Sequence, residues 1–93
     1  RYSIEGLAAL SATDWECVHR GFYTTIVNQN PNYILPLNLL REMEKGGAFR
    51  AIYPWFFSTS GVGTAVGDSK RMGAEIGKEM ARAGVQACIL VAT

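Results

Sequence analysis

Residues 65–92 read AVGDSKRMGAEIGKEMARAGVQACILVA, and this stretch decides the fold. Its small and apolar residues recur at alternating intervals of three and four, which predicts a helix that ends at Gly84. Gly73 and Gly77 lie one turn apart on the apolar side, where they would let the backbone approach a sheet closely. Residues 85–92 follow as a run that is apolar on both faces, which is typical of a buried strand in a parallel sheet.

The residues before this stretch complete the pattern. Residues 49–57 are rich in aromatic and β-forming side chains and predict a strand that Pro54 bends or ends. Residues 58–64 are a turn of small residues that leads into the helix. Because a strand, a glycine-rich turn, a helix and a second strand follow in order, we predict a right-handed βαβ unit of a parallel sheet. The predicted fold class is α/β.

Two further helices and a loop are expected before this unit. The apolar spacing over residues 37–45, followed by two glycines, predicts an amphipathic helix. Thr13 and Glu16 can form a capping box, which predicts a short helix over residues 14–17. Residues 19–36 are dense in proline, asparagine and aromatic side chains and are predicted to be a long amino-terminal structured loop. Since long loops in compact domains commonly carry function, we expect ligand contacts there.

Length and charge bound what the chain can be. Its 93 residues, 48% of them hydrophobic, can bury one modest core, which predicts a single partial domain over residues 1–93. The first residue is Arg1, so we expect the chain to be cut from a larger protein. Nine basic and eight acidic residues give a net charge of +1 without a basic run, which argues against nucleic acid. No apolar stretch approaches the roughly 20 residues of a membrane span, so we expect a soluble protein.

Two cysteines and one histidine limit the chemistry. Cys17 and Cys88 are far apart and without a signal peptide, which favours reduced thiols and a cytoplasmic location. The acidic residues and His19 show no metal-ligand spacing, so no metal site is predicted. A Gly-x-Ser-x-Gly elbow is also missing, because the segment around Ser60 lacks its first glycine.

The turn over residues 60–67 is the first candidate site. It joins a predicted strand to a predicted helix, so its backbone N–H groups could hold an anion at the positive end of that helix. A dinucleotide fingerprint would need its third glycine one residue before Gly67, and Thr64 stands where a P-loop has lysine. A tight turn that needs positive φ explains the glycines equally well.

His19 and Arg20 form the second candidate site. An arginine fork suits a carboxylate, and a histidine can transfer a proton near neutral pH. His19 is at least as often a hydrogen-bonded structural residue in such a context. Aromatic rings could also surround a cationic amine, although most are more easily explained as core. These rings are Trp15, Phe22, Tyr23, Tyr33, Tyr53 and Trp55.

Several short motifs together carry a family resemblance. They are Val18-His19-Arg20-Gly21-Phe22-Tyr23, Asn28-Gln29-Asn30-Pro31, Ile34-Leu35-Pro36-Leu37, Leu40-Arg41-Glu42-Met43-Glu44, Phe57-Ser58-Thr59-Ser60-Gly61-Val62-Gly63-Thr64 and the segment from Ala83 to Thr93. With these motifs the chain resembles the selenoprotein B subunit of glycine, sarcosine and betaine reductases. The resemblance runs over essentially the whole chain, which would cover a minority of the full subunit.

The resemblance implies an oxidoreductase that cleaves the C–N bond of a small amino acid or its N-methyl relative. In that family protein B activates the substrate, protein A receives the carboxymethyl group and protein C yields acetyl phosphate. Thioredoxin restores the oxidised selenoprotein, and a companion subunit of protein B carries a pyruvoyl group. No cofactor is implied within residues 1–93, which we expect to be inactive alone.

The resemblance also implies where the chemistry lies. The strand that ends at Thr93 would be followed at once by selenocysteine, so we expect the codon after Thr93 to be UGA. Ser58, Thr59, Gly61 and Gly63 are then expected near the reacting centre, as ligands of the substrate carboxylate. From side-chain chemistry, and not from the family motifs, Arg20 is the second candidate for that carboxylate and His19 the candidate for proton transfer.

Two other functions stay open from the sequence. One is a non-catalytic module that binds an anion or phosphate at the turn of residues 61–67, and the other is a related D-proline reductase subunit. Glycine, sarcosine and betaine differ by methyl groups on one nitrogen, and the sequence does not choose among them. A lone βαβ unit would expose sheet edges, so we expect the isolated chain to associate or aggregate.

Overall fold

A computed structural model of the chain describes residues 1–59 and 63–91. These residues divide into two compact units. The first unit comprises residues 1–4 and the described part of 53–89, and the second comprises residues 5–52 with residues 90 and 91. The helices and strands, in chain order, are β1 (Tyr2–Ser3), α1 (Thr24–Gln29), a 3₁₀ turn (Pro31–Tyr33), α2 (Leu37–Lys45), β2 (Trp55–Phe56) and α3 (Val66–Arg82).

A short antiparallel ladder joins the two chain segments of the first unit. Strands β1 and β2 pair with Tyr2 opposite Phe56, and the two rings stack with centroids 5.2 Å apart. The ladder continues one step further, because the Ile4 N–H donates to the Pro54 carbonyl at 2.9 Å. Ile4 is buried.

Helix α3 confirms the helix predicted after the glycine-rich turn. It ends as expected, because Gly84 adopts a left-handed conformation with φ of 72°. The N–H of Gly84 donates to Ala81 and that of Val85 donates to Met80, which is the hydrogen-bond pattern of a Schellman motif. No helix in the described ranges is long and apolar enough to cross a bilayer.

The apolar side of α3 is only partly covered. Of its residues, all described, none is buried, and Met72, Ile76 and Met80 are half-buried. A methyl group added at Gly73 or Gly77 would meet nothing among the described residues within 4 Å, the backbone of α3 itself aside. The close approach to a sheet that these glycines predict is therefore not formed within the described residues.

The predicted strands differ most from the structure. Residues 85–91 form no strand, and the run predicted over 49–57 is reduced to β2, which pairs antiparallel with β1. A strand needs a neighbouring strand for its backbone groups, and residues 86–91 make no backbone hydrogen bond with the described residues. Residue 92 lies outside the described ranges. The chain is thus a mixed α/β protein with a two-stranded antiparallel sheet, and the parallel βαβ unit is not confirmed.

The second unit is built around a small apolar core. Leu10, Val27 and Leu37 are buried, and Leu37 is completely inaccessible to solvent. Helix α2 confirms the amphipathic helix predicted over residues 37–45, and it is followed by Gly47 with φ of 78°. The glycine stop after α2 is therefore also confirmed.

The predicted loop over residues 19–36 is helical in its middle, so that prediction was wrong in part. It contains α1 and the 3₁₀ turn. Pro31 opens the 3₁₀ turn, where its missing N–H costs no hydrogen bond, and Asn30 before it is extended with φ of −150°. The Asn30 side chain caps the turn by accepting from the Asn32 N–H at 3.1 Å.

Two asparagine side chains bind the preceding backbone as a strand partner would. Asn32 Oδ1 accepts from the Leu10 N–H at 3.0 Å, and its Nδ2 donates to the Leu10 carbonyl at 2.8 Å. Asn28 makes the same pair of bonds to Cys17, at 2.7 and 3.2 Å. We call these two residues the asparagine clamps. They hold the segment of residues 10–17 against α1 and the 3₁₀ turn.

The short helix predicted over residues 14–17 is a turn instead. The N–H groups of Asp14 and Trp15 both donate to the Ser11 carbonyl, and the Ser11 hydroxyl donates to Asp14 Oδ2 at 2.7 Å. Thr13 bonds to Ser11 and Asp14. The turn covers residues 12–14, and the clamp binds the backbone of Cys17, where a helix would have to continue.

Candidate functional site

The turn before α3 carries most of the predicted ligand groups. Ser58 and Thr59 lie two and three residues after the end of β2, and both are exposed. Gly63 is also exposed and has φ of 64°, a conformation that favours glycine. Ser60, Gly61 and Val62 lie outside the described residues, so the prediction for Gly61 is untested.

Charge at the start of α3 affects which ligands the turn can accept. The first-turn N–H groups of a helix attract negative charge, but α3 already carries Asp68 in that turn. Asp68 pairs with Arg71 at 3.0 Å, and Arg71 also lies 3.6 Å from Glu75. A highly charged anion at this turn would therefore approach a carboxylate of the chain itself.

His19 and Arg20 belong to the second unit, whereas Ser58, Thr59 and Gly63 belong to the first. The Gly21 N–H donates to His19 Nδ1 at 3.1 Å, so a neutral His19 carries its proton on Nε2. The His19 ring also meets the Phe22 ring edge to face, with centroids 6.2 Å apart.

The Arg20 guanidinium is exposed, and it makes no hydrogen bond or ion pair with the described residues. It therefore has its full set of donors for a carboxylate.

An arginine and glutamate pair in the first unit escaped the sequence reasoning. The Arg1 guanidinium lies 4.6 Å from the centroid of the Trp55 ring and forms an ion pair with Glu79. The Tyr53 hydroxyl donates to the same Glu79 oxygen at 3.4 Å. One of the rings considered as a cage for an amine thus holds a cation from the chain itself. These residues are too far apart in sequence for any local pattern to reveal.

Glu44 organises the backbone around α2 in the second unit. Its two carboxylate oxygens accept from the Ile52 N–H at 2.9 Å and from Arg41 at 3.0 Å, and Arg41 also donates to the Leu7 carbonyl. The Ile52 N–H, followed by Arg41, lowers the pKa of the Glu44 carboxyl below its ordinary value of 4.5. The charged form of Glu44 is therefore the form that the fold stabilises.

The lowered pKa of Glu44 predicts how stability depends on pH. A depressed folded pKa gives stability that is present above pH 4.5 and is lost as the pH falls through the folded value. Replacing Glu44 with glutamine should lower the denaturation midpoint of the complete subunit at pH 7 and lower it less as the pH falls below 4.5. Glu42→Gln, at an exposed position of the same helix, is the control. A Glu44→Gln deficit that stays constant with pH would contradict this assignment.

The described parts of the chain contain two cysteines and one histidine. No group of three His, Cys, Asp or Glu side chains there could hold a metal ion. Cys17 and Cys88 are free thiols, half-buried and exposed respectively.

Comparison with known proteins gives a consistent result. The chain matches the family described as glycine/sarcosine/betaine reductase selenoprotein B over residues 1–93. No solved structure matches it.

Curated relatives align with all or nearly all of this chain. It is 38% identical over 93 residues to the glycine reductase complex component B subunit gamma of Peptoclostridium acidaminophilum, covering 100% of this chain and 21% of that subunit. It is 36% identical over 92 residues to the sarcosine reductase complex component B subunit beta of the same organism, and 34% identical over 92 residues to its betaine reductase counterpart. Both alignments cover 99% of this chain and 21% of the relative. The chain therefore spans about a fifth of the length of these relatives.

Proposed function

Because the chain belongs to the glycine/sarcosine/betaine reductase selenoprotein B family, we propose that it is part of the component B subunit of such a reductase. The observation that carries this proposal is the family match over all 93 residues. Relatives named for glycine, sarcosine and betaine reductases all align over essentially the whole chain. The shared region is therefore common to all three kinds of enzyme.

The proposed reaction is reductive cleavage of the C–N bond of a small α-amino acid or its N-methyl derivative. The amine leaves as ammonia or a methylamine, and the carboxymethyl group passes on toward acetyl phosphate. We propose selenocysteine, in the complete subunit, as the nucleophile, since a selenolate forms more readily than a thiolate. Proposed partners are proteins A and C, a companion subunit of component B with a pyruvoyl group and, indirectly, thioredoxin. The cytoplasm is the proposed compartment.

Within this chain, Ser58, Thr59, Gly61 and Gly63 are the proposed ligands of the substrate carboxylate. Ser58 and Thr59 offer exposed hydroxyl donors, and Gly63 is exposed in a left-handed conformation. Successive N–H groups next to such a residue can form a concavity that binds an anion. Arg20 is a second candidate for the carboxylate, and His19 is the candidate for proton transfer from Nε2.

A phosphate-binding module is the weaker alternative. Asp68 places a carboxylate in the first turn of α3, and a dianionic phosphate there would meet like charge. An amino acid substrate carries one carboxylate and one cationic nitrogen, so it is less affected. The family match also favours glycine, sarcosine and betaine over D-proline as substrates.

The turn can be tested with two glycines in the same backbone conformation. Gly63 and Gly47 have φ of 64° and 78°, and a Cβ added at either meets no described atom within 4 Å. Alanine should cost about 1–2 kcal/mol of backbone strain at each position. If the turn binds the carboxylate, Gly63→Ala in the complete component should raise KM for the substrate by about tenfold, about 1.4 kcal/mol, with a smaller change in kcat. Gly47→Ala should leave KM unchanged, and equal effects of the two would remove the turn from substrate binding.

The reaction itself is tested with the complete component B. The purified complex should release ammonia from glycine, methylamine from sarcosine or trimethylamine from betaine, and the preferred amine identifies the substrate. Elemental analysis should find selenium in the complete subunit. Amine release without selenium would contradict the proposed nucleophile.

A further inference from the structure

Residues 85–91 expose an unusual amount of apolar surface. Ile89, Leu90 and Val91 are 63%, 90% and 52% exposed. Ala87 and Cys88 are exposed as well. Burying such side chains is favourable by about 1.5–3 kcal/mol for each large one, so an uncovered run of this kind is an incomplete surface.

Most backbone amides of this segment also lack hydrogen-bond partners among the described residues. The Val85 N–H closes the end of α3 by donating to Met80. Beyond it, the amides of residues 86–91 make no hydrogen bond with the residues that the structure describes. Val85, Ile89 and Val91 are β-branched, a residue type that favours strands. A run with strand-forming side chains and unpaired amides has the properties of a sheet strand without its neighbours.

One side of helix α3 also has no packing partner among the described residues. Gly73 and Gly77 lie on its apolar face, and no described atom outside the helix backbone stands within 4 Å of a Cβ built at either. Glycine inside a helix costs about 1 kcal/mol relative to alanine, and two glycines one turn apart allow another backbone to approach the helix closely. A sheet that contains residues 85–91 and packs on α3 would supply that partner.

We propose that residues 85–91 are a sheet strand that pairs with strands from the part of the same subunit outside residues 1–93, and that this sheet packs on the Gly73 and Gly77 face of α3. The relatives' length identifies the occupant, because this chain spans 21% of them and about four-fifths of the subunit lies outside it. Segments of one polypeptide meet without the loss of translational freedom that a separate partner would suffer. The inference rests on family membership and is independent of the reaction proposed above.

Hydrogen exchange on the complete subunit, purified without other components, tests the strand. Amides of residues 86–91 should exchange about a hundredfold or more slower than those of a synthetic peptide with the same sequence. The Cys88 thiol, exposed in this structure, should react with iodoacetamide at least about tenfold slower in the native subunit than in the unfolded one. Peptides from α3 in the same digest verify that the subunit is folded.

The same measurement separates the possible occupants. Protection that persists unchanged on tenfold dilution of the monomeric subunit supports pairing within the chain. Protection that vanishes on dilution, or that arises only when a companion subunit is added, overturns the proposal in favour of an intermolecular partner. Peptide-like exchange of residues 86–91 beside a protected α3 overturns it as well. None of these outcomes depends on amine release, so they are distinct from failure of the proposed reaction.

Discussion

Replacing Leu37 with alanine is expected to destabilise the second unit by about 2–5 kcal/mol. Leu37 is completely inaccessible to solvent, so its truncation removes methyl groups from the centre of the core and leaves a cavity. In the complete subunit, peptides from α2 should exchange their amides at least about thirtyfold faster, which corresponds to 2 kcal/mol.

Leu39 provides a control on the same helix. It is 53% exposed, two residues from Leu37, so Leu39→Ala makes the same chemical change without emptying a core site. Its effect on exchange in α2 should stay within about 1 kcal/mol, or fivefold. Equal effects of the two substitutions would mean that Leu37 is not the centre of this core.

Replacing Asn32 with aspartate is the second substitution with a large expected effect. The Asn32 Nδ2 donates to the Leu10 carbonyl and to Asn30 Oδ1, and aspartate turns that donor into a charged acceptor. The Leu10 carbonyl oxygen and Asn30 Oδ1 then face a carboxylate instead of a donor. This loss should lower the free energy of unfolding by about 2 kcal/mol or more. The melting temperature of the subunit should fall, and peptides over residues 5–16 should exchange faster.

Acid should partly reverse this loss. A carboxylate facing two acceptors has a raised pKa, and once protonated it again offers a donor to Leu10. Compared with the parent protein at the same pH, the deficit of Asn32→Asp should therefore shrink as the pH falls toward about 4. Asn38→Asp is the matched control, because Asn38 is exposed in the first turn of α2, where a negative charge is neutral or favourable. A comparable loss at Asn38 would show that the clamp geometry is not responsible.

Helices α2 and α3 could be predicted because their apolar spacing and their glycine stop signals agree. In α2 and α3 the apolar positions recur at helical spacing, and Gly47 and Gly84 take the left-handed conformations that end them. These signals involve residues within a few positions of one another. A single sequence therefore contains all the information needed.

The missed elements depend on distant residues. Helix α1 begins with Thr24, Thr25, Ile26 and Val27, which are weak helix formers, and it is held by burial of Val27 and by the clamp of Asn28 on Cys17. Strands β1 and β2 have two residues each and pair across more than fifty positions. No window of sequence predicts such a ladder.

The candidate site residues stay predictions. The glycines before α3 suggested a tight turn with positive φ, and Gly63 has that left-handed conformation. The Arg1 and Glu79 pair could not be predicted from the sequence, since 78 positions separate the two residues. The apolar run over residues 85–92 was predicted as a strand from its composition, but composition does not supply the neighbours that a strand needs.

The hydrogen bond between Ile4 and Pro54 has a practical consequence for protein engineering. Residues 5–52, the main part of the second unit, leave and return at adjoining points of the ladder, so in sequence they are inserted between the two segments of the first unit. Excising that insertion and joining its two flanks with a tight hairpin would give a minimal scaffold that retains β1, β2 and α3. The reverse transplant, of residues 5–52 into the hairpin of an unrelated host, would show whether the insertion is a portable module.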